Sequence, residues 1–350
     1  MRVLIAAPMV PHVDGGARQI VRWTAAEMRA RGHEVEEMLL PFPTEFPYIM
    51  PALIGLRATP VASICDRLIT IGWPSYLLRH DNKVTWFIHH YRRLFDLWDT
   101  PHRAFPDNAQ TRSYRQALNR IDLLGLSECR QIFTISHTLS KRIKRFNGLD
   151  SQVLYHPLGG DLTQFRCAGY GDFIFYPSRV TPIKRQLLAI EAMQYTKTQV
   201  RLVIAGKPEV GWYEDELRDL VNAKGLVSKV DLRFGWLPDA TKKELLSECL
   251  AVAYLPTDED SYGYISLEAA LSSKPIVTTT DSGGVLEYVR DGVEGLITEP
   301  EPRALAAAFD RLYLDSATTK VMGAASLARR AELGIDYDYV IPRLLGEIGG

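Results

Sequence analysis

Two basic side chains, Arg179 and Lys184, follow a predicted strand and lead into a helix predicted over residues 184–194. Guanidinium and ammonium groups at the carboxyl end of a strand could neutralise a diphosphate. Cations near a helix N-terminus oppose the helix dipole, and this conflict favours an anionic ligand at the site. The alternative is a solvated basic helix start with no ligand.

An acidic stretch crosses from another predicted strand into a helix. Asp260 and Glu268 stand eight residues apart within it. A carboxylate before a helix, free amides at its start and a second carboxylate two turns later could bind sugar hydroxyls, a phosphate and a ribose, respectively. The alternative is an acidic helix cap followed by a surface glutamate. The turn between the two carboxylates consists of Tyr262, Gly263, Tyr264 and Ile265.

Glycine pairs and adjacent histidines mark three further strand ends. Gly15 and Gly16 follow the first strand, and the pair at 283–284 follows a later one. Such pairs let the backbone approach a ligand closely, although they also occur for turn geometry alone. His89 ends the strand predicted over 83–89 and His90 follows it, and by strand alternation only one of them can face a ligand. A buried histidine more often has a structural role.

Alternating hydrophobic runs and helical periodicity predict an α/β chain with two doubly wound parallel sheets. The glycine-rich stretch 159–171 separates two such series, so the expected domains are 1–170 and 171–334. The helix near the C-terminus, within 335–350, is assigned to the first domain on the resemblance given below. The segment 42–60, which is rich in proline, is predicted to be an irregular loop.

The composition excludes several classes of protein. The 350 residues are 46% hydrophobic and 24% charged, which is typical of a globular chain and not of a disordered one. The uncharged stretch 46–56 is shorter than the ~20 residues that a membrane-spanning helix needs. The N-terminus shows no signal-peptide pattern, and four dispersed cysteines indicate reduced thiols rather than a disulfide framework or a metal site. These features predict a cytoplasmic protein without a bound metal.

The small net charge of −1 conceals an uneven distribution. Residues 1–170 carry +6 and residues 171–350 carry −7, which suggests different partners for the two halves, although chance scatter is the alternative. A sequence pI near 6.7 disfavours nucleic-acid binding. Arginines alternate with aromatic residues over 91–115. This mixture suits an anionic or lipid-linked acceptor and peripheral contact at the inner face of a membrane; a core helix with an exposed basic face is the alternative.

Taken together, the motifs resemble the retaining glycosyltransferases of family four. Members of that family have the GT-B fold, in which two Rossmann-like domains face each other across a cleft. The resemblance covers nearly the whole chain and depends on the order of its motifs. These are Gly15-Gly16, Gly32-His33-Glu34-Val35, Pro177-Ser178-Arg179 with Lys184-Arg185, Val203-Ile204-Ala205-Gly206, Gly235-Trp236-Leu237, Asp260 with Glu268, and Asp281-Ser282-Gly283-Gly284.

The resemblance implies an acceptor site in the first domain and a nucleotide-sugar site in the second. Arg179 and Lys184 would bind the diphosphate, Glu268 the ribose, and Asp260 the sugar. Position 260 holds Asp where the family usually has Glu, so the adjacent Glu259 could take that role instead. The other implied sugar-donor residues are Gly15, Gly16, Gly206, Trp236, Leu237, Tyr262, Gly263, Tyr264 and Ile265, and the implied cleft histidine is His89.

The implied reaction is retaining, metal-independent transfer, with no cofactor, from a UDP- or GDP-sugar to an acceptor hydroxyl. The acceptor would be a glycan, a lipid-linked glycan or a small molecule, in the synthesis of bacterial-type glycan, lipopolysaccharide, exopolysaccharide or a glycosylated natural product. Alternatives with the same fold are a nucleotide-sugar 2-epimerase, a sugar phosphorylase and a non-catalytic protein that binds a nucleotide sugar.

Overall fold

The computed structural model describes residues 1–10, 15–43, 45–103 and 105–347. The chain divides into two compact units, one formed by Met1–Gly160 with Ile335–Gly350 and the other by Asp161–Gly334. Residues 161–170, expected in the first domain, lie in the second unit because its loops hold them. The amide of Ala168 donates to the carbonyl of Ser247 at 2.9 Å, and Tyr170 Oη donates to the carbonyl of Ser273 at 2.6 Å.

The first unit is built on a parallel sheet, which has six strands in the described residues, in the order β2-β1-β3-β4-β5-β6. Runs such as RLITI are buried on both faces, as expected for a sheet covered by helices on each side. The strands are β1 (Arg2–Met9), β2 (Glu34–Pro41), β3 (Arg67–Ile71), β4 (Lys83–Phe87), β5 (Gln131–Thr134) and β6 (Gln152–Val153). The connecting helices are α1 (Gly16–Ala30), α2 (Ile49–Ala58), α3 (Ala109–Ser127) and α4 (His137–Asn147).

Helix α2 corrects the prediction of an irregular loop over 42–60. Ile49, Leu53 and Leu56 recur at helical spacing and are buried on one face. Pro51 lies in the first turn, where a backbone N–H has no partner within the helix, so the proline costs little there. The spacing of the aliphatic residues in this segment therefore indicates its secondary structure better than the number of its prolines does.

The second unit holds another parallel sheet, with six strands among its described residues, in the order β12-β11-β10-β7-β8-β9. Its strands are β7 (Phe173–Pro177), β8 (Arg201–Gly206), β9 (Val230–Phe234), β10 (Ala251–Ala253), β11 (Ile276–Thr279) and β12 (Gly295–Thr298). Its helices are α5 (Gln186–Met193), α6 (Gly211–Ala223), α7 (Asp239–Glu248), α8 (Tyr264–Leu271), α9 (Pro302–Leu314) and α10 (Ser316–Glu332). The prediction of two parallel α/β sheets is thus confirmed.

Strand order in the second sheet points to a binding position. The chain runs outward from β7 in one direction and from β10 in the other, so the two neighbouring strands form a topological switch point. Loops leaving such a pair diverge to opposite faces of the sheet and open a crevice at its carboxyl edge, where ligands of this fold class bind. The loops after β7 and β10 carry the two motifs identified above as basic and acidic.

One predicted helix is shorter in the structure. The helix expected over 184–194 begins at Gln186, after a 3₁₀ turn at Pro182–Lys184, because Arg185 has φ of +58° and cannot continue a right-handed helix. The glycine pair at 283–284 leads into a single 3₁₀ turn, Gly284–Glu287.

After α10 the chain returns to the first unit as α11 (Tyr337–Leu345). Val340, Ile341 and Leu344 of α11 are fully buried. The Arg67 guanidinium of β3 donates from Nε and Nη2 to the Leu344 carbonyl at 3.1 and 2.9 Å, which satisfies an acceptor at the end of the helix.

None of the described helices is both long enough and apolar enough to cross a membrane.

Candidate functional site

A buried charge cluster occupies the switch point of the second sheet. Lys184 follows β7, whereas Tyr254 and Glu259 follow β10. Lys184 Nζ donates to Tyr254 Oη at 2.9 Å and forms an ion pair with the Glu259 carboxylate. Only 8% of the Lys184 side chain is exposed, and the ammonium lies 4.9 Å from the centroid of the Tyr254 ring. A cation buried to this depth is stabilised by such partners.

Backbone contacts between the two loops set the position of Lys184. Tyr176 Oη, at the end of β7, donates to the Lys184 carbonyl and accepts a hydrogen bond from the Leu255 amide at 3.2 Å. The Thr257 amide donates to the Ile183 carbonyl at 2.9 Å. The lysine is therefore placed by the strand ends themselves.

The acidic loop is anchored on the loop that follows β11. The Asp258 amide donates to the Asp281 carbonyl at 2.9 Å, and the Gly284 amide donates to the Glu259 carbonyl at 2.8 Å. A Cβ at Gly283, which has φ of +65°, would lie 2.5 Å from backbone atoms of Glu259. The pair Gly283-Gly284 thus allows one loop to pack on another.

Glu259, one of the two neighbouring carboxylates, forms an ion pair with Lys184. Asp260 is buried, with 8% of the residue exposed. Glu259 and Asp260 both lie in the loop at the carboxyl end of β10, so the two residues are at the same edge of the sheet.

Arg179 differs from Lys184 in its environment. Its side chain is 65% exposed and forms an ion pair with Glu209. The backbone beside it is held by Gln186 Nε2, which donates to Ser178 Oγ at 2.8 Å and to the Arg179 carbonyl at 2.9 Å. An exposed ion pair contributes little free energy, so a ligand anion could replace Glu209 at small cost.

Gly206 ends β8 beside this loop. Its φ is +149°, and a Cβ built on it would lie 1.8 Å from the Ser178 carbonyl oxygen. The residue is therefore required for close packing of β8 against the loop that carries Arg179.

Glu268 is the fifth residue of α8, and 12% of its side chain is exposed. Lys242 Nζ, from α7, donates to its carboxylate at 2.7 Å. Burial raises the pKa of Glu268, and the nearby Lys242 ammonium offsets this only in part. Sequence reasoning missed Lys242, because no local spacing links residues on two separate helices.

The remaining predicted residues of the second unit lie at helix and strand ends. Tyr262 is fully buried, and Gly263 precedes α8, so the amides of Tyr264 and Ile265 lie in the first helical turn. Trp236 and Leu237 follow β9. The Trp236 residue is 78% exposed, and Leu237 is half-buried.

In the first unit, the two histidines have different surroundings. His89 is half-buried, and its Nδ1 lies 2.8 Å from the His90 carbonyl. His90 is fully buried among Phe87, Phe95 and Phe146, and its Nε2 lies 2.9 Å from Asn147 Oδ1. His90 is thus a core residue, which leaves His89 as the accessible histidine.

The glycine pair of the first unit lies at the start of α1. Gly15 is the N-cap, its carbonyl accepts from the Arg18 amide at 2.9 Å, and Gly16 is the first helical residue. Asp14, which precedes the pair in the sequence motif, lies outside the described residues.

The buried histidines make stability depend on pH. Burial lowers the pKa of His90 to about 4, and the pKa of His156 is lowered to about 4 for the same reason. An unfolded histidine has a pKa of about 6.5, so the unfolded chain binds protons between pH 6.5 and 4 that the folded chain does not. We expect the free energy of unfolding to fall as pH drops through this window, by roughly 1–3 kcal/mol per histidine.

Denaturant unfolding at pH 7 and at pH 4.5 measures this effect. The variant His90→Phe should lose less stability on acidification than the native chain, whatever its stability at pH 7. The same loss on acidification in both chains would contradict the assignment.

No group of three or more His, Cys, Asp and Glu side chains within residues 1–10, 15–43, 45–103 and 105–347 is arranged to hold a metal ion.

Comparison with known proteins places this site in context. The family model described as Glycosyl transferases group 1 matches residues 168–329. The alpha-1,3/1,6-mannosyltransferase ALG2 of Dictyostelium discoideum is 31% identical over 36% of the chain, and that match spans only 31% of the relative's length. Human ALG2 is 25% identical over 77% of the chain and 68% of its own length.

Structural similarity extends over the whole chain. HepE of Anabaena, solved in complex with UDP, superposes with a TM-score of 0.73 over 99% of both chains at 18% identity. A structure of HepE with UDP-glucose gives the same TM-score over 98% of both chains at 16% identity. The likeness confirms the GT-B fold.

Proposed function

We propose that the chain, whose residues 168–329 match the family model of group 1 glycosyl transferases, transfers a sugar from a nucleoside-diphosphate sugar to an acceptor hydroxyl with retention of anomeric configuration. The observation that carries this proposal is the buried cluster of Lys184, Tyr254 and Glu259 at the switch point of the second sheet. A cation at that position suits the diphosphate of a nucleotide sugar. The similarity to HepE, whose structures contain UDP and UDP-glucose, supports the same class of ligand.

The proposed catalytic task is to stabilise the departing diphosphate while positive charge builds at the anomeric carbon. Lys184, Arg179 and the first-turn amides of α8 supply fixed positive potential to the leaving group. The Glu268 carboxylate accepts hydrogen bonds from the ribose hydroxyls, and Lys242 holds that carboxylate in place. Asp260 or Glu259 binds the sugar hydroxyls.

Bond making and breaking occur on one face of the sugar in this scheme. The acceptor oxygen forms a bond to the anomeric carbon as the bond from that carbon to the phosphate oxygen breaks. The departing phosphate oxygen takes the proton of the acceptor hydroxyl, and the products are the glycoside and a nucleoside diphosphate. Because Lys184 and Arg179 provide the positive charge, we propose that transfer needs neither a metal ion nor a cofactor.

The acceptor is assigned to the first unit. Arg103 and Arg115 lie 5.3 and 5.2 Å from the Trp98 ring, and Trp73 stacks on Tyr91 with ring centroids 5.1 Å apart. Guanidinium groups beside aromatic rings suit an anionic or lipid-linked glycan. We therefore propose a cytoplasmic enzyme that acts in glycan synthesis and contacts the inner face of a membrane through this basic region, with no role in nucleic-acid binding.

A transfer assay with a panel of UDP- and GDP-sugars tests the proposal. The chain is expected to consume one of these sugars only when an acceptor is present, and at the same rate with and without EDTA. NMR of the product should show the anomeric configuration of the substrate. An inverted product would contradict retention. Consumption without an acceptor would indicate an epimerase, a dependence on inorganic phosphate would indicate a phosphorylase, and binding without turnover would indicate a non-catalytic protein.

A further inference from the structure

Arg185, the residue after Lys184, has an unusual backbone conformation. Its φ and ψ are +58° and +42°, in the left-handed region that a bulky side chain rarely adopts. It separates the turn that ends at Lys184 from α5, which begins at Gln186. Glycine would adopt this conformation without strain, so contacts of the arginine side chain must offset an unfavourable backbone.

The Arg185 guanidinium joins the ends of two further strands. Nε donates to the Leu255 carbonyl at 2.7 Å, and Nη2 donates to the Pro256 carbonyl at 2.9 Å, both just after β10. At the end of β11, Nη2 donates to Thr279 Oγ1 at 2.6 Å, and Nη1 and Nη2 contact the two Asp281 carboxylate oxygens at 2.7 and 2.9 Å. One side chain on the β7 loop thus holds the loops of β10 and β11.

These contacts lead directly to the proposed sugar-donor site. Leu255 and Pro256 begin the loop that carries Glu259, and the Asp281 carbonyl accepts the amide of Asp258 in that same loop. Glu259 in turn pairs with Lys184, the neighbour of Arg185. The arginine therefore contacts both the start of the acidic loop and Asp281, whose carbonyl accepts the Asp258 amide further along that loop.

We propose that Arg185 is a positioning residue, an inference that rests on the proposed function. It holds Lys184 and Glu259 in place relative to each other and does not itself bind the diphosphate. Its guanidinium is directed at protein acceptors on both loops, and its side chain is only 17% exposed. A phosphate ligand would have to displace carbonyl and carboxylate partners together. The exposed Arg179, by contrast, is paired with the surface carboxylate of Glu209, which a phosphate could replace.

A double-mutant cycle tests this assignment. Arg185→Gly removes the guanidinium and relieves the backbone, and Asp281→Asn weakens its carboxylate anchor while leaving the arginine backbone unchanged. Each single variant is expected to fold and to lose about 10- to 100-fold in kcat through misplacement of Lys184 and Glu259. If both act through one clamp, the double variant should be no slower than the slower single variant.

Two controls accompany the cycle. Ser273 is another non-glycine residue with a positive φ, of 51°, and it lies away from the cluster. The variant Ser273→Gly relieves the same kind of backbone strain there and should retain native kcat. Calorimetric titration with UDP, GDP and the matching nucleosides measures how much the diphosphate adds to binding. In a Lys184→Ala background, Arg185→Gly should lower this diphosphate contribution by no more than a further factor of about three, because the arginine acts by placing Lys184 and makes no phosphate contact of its own.

The outcomes separate the inference from the function on which it rests. Multiplicative losses in the Arg185→Gly, Asp281→Asn double variant would overturn the positioning role. A further large loss of the preference for diphosphate over nucleoside, when Arg185→Gly is added to Lys184→Ala, would overturn it too. Native kcat in Arg185→Gly would overturn it as well. A native chain that binds no nucleoside diphosphate and transfers no sugar would contradict the proposed function itself, and the positioning role with it.

Discussion

Replacement of Lys184 by alanine is expected to lower kcat by about 100- to 1000-fold, the usual cost of removing one preorganised group that stabilises developing charge. The ammonium is buried between Tyr254 and Glu259, so solvent cannot substitute for it at full strength. Its loss also leaves the Glu259 carboxylate without its ion-pair partner. We expect the free energy of unfolding to fall by up to about 3–5 kcal/mol, the range for a broken buried pair.

Turnover, circular dichroism and denaturant unfolding of the same preparation separate the two effects. Lys229→Ala is the matched control, since Lys229 Nζ donates to Thr196 Oγ1 at 2.8 Å in the same unit and has no place in the site. That variant should retain kcat. A folded Lys184→Ala chain with near-native turnover would refute the role of the ammonium in stabilising the leaving group.

Substitution of Gly206 by alanine is expected to damage both stability and activity. The added Cβ would stand 1.8 Å from the Ser178 carbonyl oxygen, so either β8 or the loop after β7 must move. Strain from the positive φ and from overpacking together predict a loss of about 3 kcal/mol in unfolding free energy. Because the displaced loop carries Arg179, the affinity for a nucleoside diphosphate should fall as well.

Gly211→Ala provides the control for this change. Gly211 begins α6, and a Cβ there meets nothing within 4 Å. Alanine at that position should leave affinity unchanged and stability equal or greater by up to about 1 kcal/mol. Thermal unfolding and calorimetric titration of the two variants provide the comparison. If Gly206→Ala matched Gly211→Ala in both measurements, the close approach of β8 to Ser178 would be disproved.

Much of the fold follows from hydrophobic patterning. Continuous apolar runs such as Phe173–Pro177 predict buried parallel strands, and their regular alternation with helices predicts two doubly wound sheets. The motifs at 179–184 and 260–268 could be assigned to strand ends for the same reason. The order of the strands, and hence the neighbouring positions of β7 and β10, is set by packing between distant segments.

The contacts that organise the site are less visible in the sequence. Lys242 and Glu268 lie on different helices, so their pairing has no periodic signature. Arg185 resembles an ordinary residue in a helix start, and its left-handed conformation is stabilised by acceptors some 70 to 96 positions away. Local propensity predicts a helix from Lys184, but tertiary contacts determine the actual start.

The return of α11 to the first unit has a consequence for synthesis on the ribosome. Residues 161–334 form a unit that is contiguous in the sequence. The first unit is not contiguous, because the helix at Tyr337–Leu345 covers part of its hydrophobic surface. Translation delivers that helix after the entire second unit has been made. The unit that emerges first is therefore completed last, and the nascent chain must keep its unfinished hydrophobic surface from misassociating until the final turns emerge.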